Sequence, residues 1–262
     1  MKIGFIGGGN MANAILGGLL AKGYAPEDVY ISDKNTDALG NLKTKYGVKT
    51  TEDNSYVAEN AEILFICVKP NIVPFVLKEI KSHISENTVV VSIAAGTSTE
   101  KIESYLSSKN KIIRVMPNTP ALVGEGMSAV CSNVAGADSI EMVSSMLECI
   151  GKCEIVAEKL MDTVTAVSGS SPAYVFMLIE AMADGAVQGG MTRDAAYKFA
   201  AQAVLGSAKM ILETGKHPGE LKDMVCSPGG TTIEAVAVLE KNGFRNSIIK
   251  AMEACRKKSE QM

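Results

Sequence analysis

Apolar and polar positions follow two different rhythms along this chain. Through residue 157, short β-branched runs at 2–6, 29–32, 63–68, 88–93 and 111–116 each sit between longer amphipathic stretches. That is the pattern of βαβ units on a parallel sheet, whose strands are covered on both faces. Two further strand-like pieces, 127–131 and 153–156, flank a helical pattern near 138–149 and are expected as edge strands. From residue 158 the strand signals stop. Helical patterns at 162–167, 173–190, 193–213, 220–225, 232–241 and 245–259 follow, separated by Gly, Pro and Asn-Gly stops. The chain is expected to divide into an α/β domain over 1–157 and an all-α domain over 158–262. The helix over 173–190 is apolar on more than one face, and a module of ~100 residues buries too little surface to hide it. A partner subunit is the expected cover.

Composition narrows the partners. The 262 residues are 47% apolar and 21% charged, with a net charge of -3. This is a globular balance without the basic footprint that nucleic acid or an anionic membrane would need. No apolar run reaches the ~20 residues of a membrane span, and the first residues enter a strand with no secretory pattern before it. Six cysteines, Cys67, Cys131, Cys149, Cys153, Cys226 and Cys255, form no CxxC pair, which predicts reduced thiols and a cytoplasmic setting. With only His83 and His217, no metal site is expected.

The first strand runs directly into Gly7-Gly8-Gly9-Asn10-Met11-Ala12, which fits G-x-G-x-x-A at the start of a helix. Gly7 allows the tight turn, Gly9 lets the backbone approach a pyrophosphate, and the small Ala12 lets helix and strand pack closely. The N–H groups and partial positive charge at the helix start favour the phosphates. The second strand ends in Ser32-Asp33-Lys34. Asp33 there suits a ribose diol and so NADH, whereas Ser32 and Lys34 suit the 2′-phosphate of NADPH. The first domain is therefore expected to be a Rossmann-type dinucleotide-binding domain.

Later strand ends carry Val68-Lys69-Pro70 and Ala94-Ala95-Gly96, at the carboxyl side of the sheet where open α/β folds bind ligands. Small residues there admit the ribose and nicotinamide; the alternative is that Lys69-Pro70 opens a helix and 94–96 is a packed turn. Met116-Pro117-Asn118-Thr119-Pro120 follows the next strand, with Asn118 and Thr119 offering polar groups towards the nicotinamide side.

On these motifs, and most specifically on Ser168-Gly169-Ser170-Ser171-Pro172-Ala173-Tyr174 and Leu221-Lys222-Asp223-Met224-Val225-Cys226-Ser227-Pro228-Gly229-Gly230-Thr231-Thr232, the chain resembles the pyrroline-5-carboxylate reductases from end to end. The resemblance implies reduction of 1-pyrroline-5-carboxylate to L-proline, the last step of proline biosynthesis. It also implies a helical dimerisation domain, dimers that can assemble into a decamer, and NADPH as cofactor with NADH as alternative. It places Asn54 near the adenosine ribose and Glu158 near the substrate.

Hydride delivery to an iminium asks little of side chains beyond orientation and exclusion of water, which suits a chain without a His-based acid–base pair. The turn holding Ser227, Gly229 and Gly230 opens a helix, whose unpaired N–H groups can take the substrate carboxylate. Thr231 and Glu234, three residues apart, also read as a capping box. Thr232 is the candidate catalytic residue, its hydroxyl facing the imine nitrogen. A reductase of another cyclic imine acid is the nearest rival, and a catalytically silent dinucleotide-binding regulator the rival from another class. The 173–190 helix lacks the lysine expected of a β-hydroxyacid dehydrogenase of similar layout.

Overall fold

The computed structural model describes residues 1–106, 109–132 and 137–262. Among the described residues, eight strands form one sheet: β1 (Ile3–Ile6), β2 (Val29–Ser32), β3 (Lys49–Thr51), β4 (Ile63–Ile66), β5 (Val89–Ser92), β6 (Lys111–Met116), β7 (Gly126–Ser132) and β8 (Gly151–Ile155). Their order is β3-β2-β1-β4-β5-β6-β7-β8, parallel throughout except where β7 runs antiparallel to β6. The direction of winding reverses at β1, so the turn after β1 lies at the switch point where such sheets bind ligands.

Period-2 alternation explains the layers. Ile3, Phe5, Val29, Ile31, Ile63 and Phe65 point to one face and meet α1 (Asn10–Ala21), α2 (Thr36–Tyr46) and α6 (Ala137–Leu147). Leu64, Ile66, Val90 and Ile112 point to the other and meet α3 (Asn54–Asn60), α4 (Val73–Ile80) and α5 (Thr99–Tyr105). Phe5 and Phe65 stack with ring centroids 4.9 Å apart.

Two expectations are corrected. β3 had no apolar signature: Lys49-Thr50-Thr51 is a three-residue polar edge beside β2. The 127–131 piece is not an edge, because β7 pairs with β6 on one side and β8 on the other.

The chain separates into two compact units, one of Met1–Ser170 with Cys255–Met262, the other of Ser171–Ala254. The expected division at 157/158 thus falls inside the first unit. Residues 158–170 belong with the sheet because Met161 packs beside Ala129 and Cys131, and Glu158 and Asp162 engage Arg114. This stretch contains α7 (Met161–Val164) and a π-helical turn, Thr165–Gly169, closed by Ser170 N–H to the Thr165 carbonyl at 2.8 Å.

The second unit comprises α8 (Ser171–Gln188), α9 (Arg193–Thr214), α10 (Pro218–Val225), α11 (Thr231–Lys241) and the start of α12 (Phe244–Glu260). α8 packs along α9, yet Phe176, Met177, Phe199 and Leu212 are 60%, 68%, 69% and 82% exposed in the single chain. Among the described residues, no helix is long and apolar enough to cross a membrane.

Candidate active site

The turn after β1 is fixed from three sides. Gly7 has φ +99°, its N–H donates to the Ser32 carbonyl at 2.7 Å, and a Cβ there would stand 2.5 Å from the Cys67 carbonyl oxygen. Only glycine meets both conditions. Gly8 N–H donates to Asp33 Oδ2 at 2.6 Å. Gly9 caps α1 and has no atom within 4 Å of where a Cβ would lie, so open space remains over its backbone. The bond from Asn13 N–H to the Gly9 carbonyl leaves the N–H groups of Asn10, Met11 and Ala12 at the open end of the helix. Ala12 is buried in the core. These glycines and Ala12 fit the separate jobs expected of a pyrophosphate cradle.

Beside the turn lies a cavity of about 220 Å³ lined by Ile6, Gly7, Ser32, Asp33, Lys34, Asn54, Val68, Ile72, Phe75, Val76 and Glu79. Ser32 is fully buried and spends its hydroxyl on Asn54 Oδ1 at 2.7 Å, so it is not a free donor to a 2′-phosphate. Asn54 Nδ2 continues the chain to Glu79 Oε2 at 2.9 Å. Asp33 Oδ1 accepts the Asn35 N–H at 2.8 Å, so both carboxylate oxygens already hold backbone N–H groups. Lys34 is exposed at the rim.

The later strand ends serve packing more than expected. Lys69 and Pro70 open α4, their carbonyls accepting from Ile72 and Val73 N–H at 2.8 and 3.3 Å, while Val68 lines the cavity. Ala94 is core, Ala95 is half-buried, and a Cβ on Gly96 would meet Met262 Cβ at 2.5 Å and the Ser259 carbonyl at 3.2 Å. Asn118 is buried with both ends of its amide engaged, Nδ2 to the Ser168 carbonyl at 3.1 Å and Oδ1 from Met127 N–H at 2.9 Å.

Glu158 is part of a half-buried cluster around the buried Arg114 that the sequence reading missed. It accepts from Thr99 and faces Arg114, which also faces Asp162. The signal was available: a lone arginine inside the β6 run Lys-Ile-Ile-Arg-Val-Met needs partners once both faces of the sheet are covered. Cys131 lies beside this cluster, its thiol pushed up to about 11 by burial first, then by Glu158, against an opposing effect of Arg114. Burial also pushes up Cys67, and it takes Cys149 to about 11.

In the helical unit, Gly230 N–H closes a turn onto the Ser227 carbonyl at 3.0 Å, and Gly229 takes φ +67° to permit it. A Cβ on Gly230 would stand 2.3 Å from Ser227 Oγ, so this glycine makes room for Ser227. Gly230 is the N-cap of α11 and Thr231 is already helical, without a side-chain cap bond. The expected capping box does not form. Thr232 is half-buried in the first turn.

A wound parallel sheet with this cradle at its switch point, followed by an all-helical unit, defines a dinucleotide-dependent oxidoreductase. Residues 2–96 match the family model for NADP oxidoreductase, coenzyme F420-dependent, and residues 158–262 match that for pyrroline-5-carboxylate reductase dimerisation. The chain is 53% identical to the pyrroline-5-carboxylate reductase of Escherichia coli strain K12, covering all of this chain and 98% of that protein. Among solved structures, it is similar to a pyrroline-5-carboxylate reductase from Coxiella burnetii, with TM-score 0.92, 38% identity, and 99% and 97% of the two chains covered. It is also similar to the Plasmodium falciparum pyrroline carboxylate reductase with NADP bound, with TM-score 0.90, 33% identity, and 100% and 97% covered. The chain belongs to the pyrroline-5-carboxylate reductase family.

Proposed function

We infer that this protein reduces 1-pyrroline-5-carboxylate to L-proline in the cytoplasm, with NADPH as the preferred hydride donor and NADH as an alternative. The observation that carries this reading is the end-to-end likeness to pyrroline-5-carboxylate reductases, which spans both the cofactor half and the helical half. The space over Gly9 and the cavity beside Asn54 fit a dinucleotide. When bound there, the cofactor supplies the hydride for the imine carbon. The N–H groups of Asn10, Met11 and Ala12 hold the pyrophosphate, Asn54 and Lys34 the adenosine end, and Val68 the wall between them.

On the helical unit, the first N–H groups of α11 take the substrate carboxylate, with Ser227, Gly229, Gly230 and Thr231 shaping the turn. Thr232 directs its hydroxyl at the imine nitrogen, orienting the ring and relaying to it a proton taken up from water as the hydride turns the imine into an amine. The substrate-binding role of Glu158 is carried over from the resemblance to the family alone. The free thiols are in line with a reducing compartment.

The protein acts as a homodimer, able to build a decamer. Support comes from the dimerisation match and from the apolar side chains that the lone helical unit leaves in water. A stable monomer at low micromolar concentration by light scattering would overturn the dimer. For the activity, purified protein is assayed for NAD(P)H oxidation with 1-pyrroline-5-carboxylate beside larger and smaller cyclic imine acids. Faster reduction of another ring would move the substrate assignment; binding of NADPH without any turnover would mark a silent regulator.

A further inference from the structure

The cavity beside the Gly7 turn contains a carboxylate that the dinucleotide-binding motif does not account for. Glu79, in the last turn of α4, is among its lining residues together with Ser32, Asp33, Lys34 and Asn54. In a Rossmann-type site the adenosine ribose lies at the end of the second strand, so these residues surround its 2′ position. Their commitments differ. Asp33 is held by Gly8 and Asn35 N–H groups, and Ser32 by Asn54. Glu79 uses Oε2 for Asn54 Nδ2. Among the described residues its Oε1 has no hydrogen-bond partner, and Lys34 is the only cation lining the cavity.

We propose that Glu79 is a specificity-determining residue that sets the balance between the two cofactors, acting against Lys34. The inference rests on the dinucleotide reading given above. A ribose 2′-hydroxyl can donate to the free carboxylate oxygen, which favours NADH. A 2′-phosphate carries only acceptors and negative charge, so Glu79 repels it while Lys34 attracts it. The cavity therefore sets two carboxylates, Asp33 and Glu79, against the cation of Lys34 around the single group by which the cofactors differ, and of the two it is Glu79 that keeps an oxygen for the ribose. Glu79 also orients its neighbour, because a carboxylate only accepts and so turns the Asn54 amide nitrogen towards itself. That second role bears on both cofactors alike, which separates the two roles experimentally.

The test is a fluorescence titration of the full-length protein with NADPH and with NADH, for the wild type, Glu79→Gln and Lys34→Ala. Glutamine keeps an acceptor for Asn54 and removes the charge. Glu79→Gln is expected to shift the ratio of the two dissociation constants roughly two- to fivefold towards NADPH, the size of an exposed charge interaction. Lys34→Ala should shift it towards NADH. Both shifts should shrink at high salt, as exposed charges are screened. An equal change in both affinities, or an unmoved ratio, in Glu79→Gln would reduce Glu79 to a support for Asn54 and overturn the proposal. Imine reduction is measured on the same samples. Loss of turnover by the wild type with the ratio shift intact would sink the assigned activity and leave the role of Glu79 standing; normal turnover with no shift would do the reverse.

Discussion

Glu158 grips Thr99 at two points, its Oε1 accepting the Thr99 N–H at 2.7 Å and its Oε2 the Thr99 hydroxyl at 2.6 Å. One carboxylate thereby caps α5 and faces Arg114 Nη1 at 3.4 Å, while Arg114 Nη2 stands 3.9 Å from Asp162 and Asp162 accepts the Ser259 hydroxyl at 2.6 Å. Two carboxylates of one stretch thus face a guanidinium whose side chain is 6% exposed, and through them Thr99 and Ser259, distant in sequence, are tied to β6.

Arg114→Met keeps much of the volume and removes the charge between two carboxylates. Breaking a buried pair costs about 3–5 kcal/mol, but Glu158 and Asp162 are 31% and 28% exposed and keep some hydration. A loss of about 2–3 kcal/mol in urea unfolding is expected. A loss under about 0.5 kcal/mol, the size of an ordinary surface change, would show that the cluster is a solvated surface feature. Glu158→Gln distinguishes its two assigned roles: a lower melting temperature with unchanged KM for the imine marks a structural support, and a raised KM marks contact with substrate.

The two ends of the glycine turn should fail differently. Gly7→Ala places a methyl against the Cys67 carbonyl at φ +99°, which is expected to cost about 2–4 kcal/mol of stability. Gly9→Ala meets no protein atom within 4 Å, so the fold should lose no more than about 1 kcal/mol, the range for a weaker N-cap. Its methyl instead occupies the approach to the helix start, and the NADPH dissociation constant should rise roughly tenfold or more. Calorimetric melts and cofactor titrations on both variants check the contrast; tight NADPH binding by Gly9→Ala would remove the pyrophosphate from this turn.

The turn geometry around Gly7, Gly9 and Ala12 was legible in the sequence. The G-x-G-x-x-A spacing anticipated a positive φ at Gly7, open space over Gly9 and a buried Ala12, each of which depends on backbone within a few residues of the motif. The βαβ pattern was equally local. What escaped depended on distant partners. Ser32 looked like a phosphate donor until Asn54 was placed against it, and Gly96 like a ligand-side residue until the turn at Ser259 and Met262 was packed onto it. β3 escaped because three polar residues at an edge carry no apolar period. The compact units part at Ser170, although the dimerisation match begins at residue 158, because Arg114 and Met161 tie the stretch after 157 to the sheet.

The buried thiols predict an alkaline limit. Cys131 and Cys149 are pushed up to about 11 in the folded state, from an ordinary 9.0. Between pH 9 and 11 the unfolded chain releases thiol protons that the folded chain retains, so stability is intact below pH 9 and falls as pH rises through this window. Cys131→Ala should flatten the fall relative to wild type in urea unfolding at stepped pH. Parallel curves for the two proteins would assign the alkaline loss to other groups.

The two neighbouring threonines of α11 give the most direct test of the chemistry. Thr231 is the first helical residue, is exposed, and makes no side-chain cap bond, because Gly230 occupies the N-cap position. Thr231→Ala should therefore leave stability within about 0.5 kcal/mol of wild type, the range of an ordinary surface change. Thr232 lies one position further into the first turn and is half-buried. Its assigned hydroxyl contact is with an imine nitrogen whose carboxylate neighbour sits on the helix N–H groups, so its loss should affect the reaction and not the fold. Thr232→Ala is expected to cut kcat roughly 10- to 100-fold, the lower part of the range for a positioned proton-transfer or orienting group, with NADPH affinity unchanged. Thr232→Ser, which keeps the hydroxyl, should recover much of that loss. Steady-state kinetics, NADPH titration and thermal melts on the three variants decide the assignment. Near-wild-type turnover in Thr232→Ala, or a larger kinetic defect in Thr231→Ala, would move the catalytic hydroxyl to another residue.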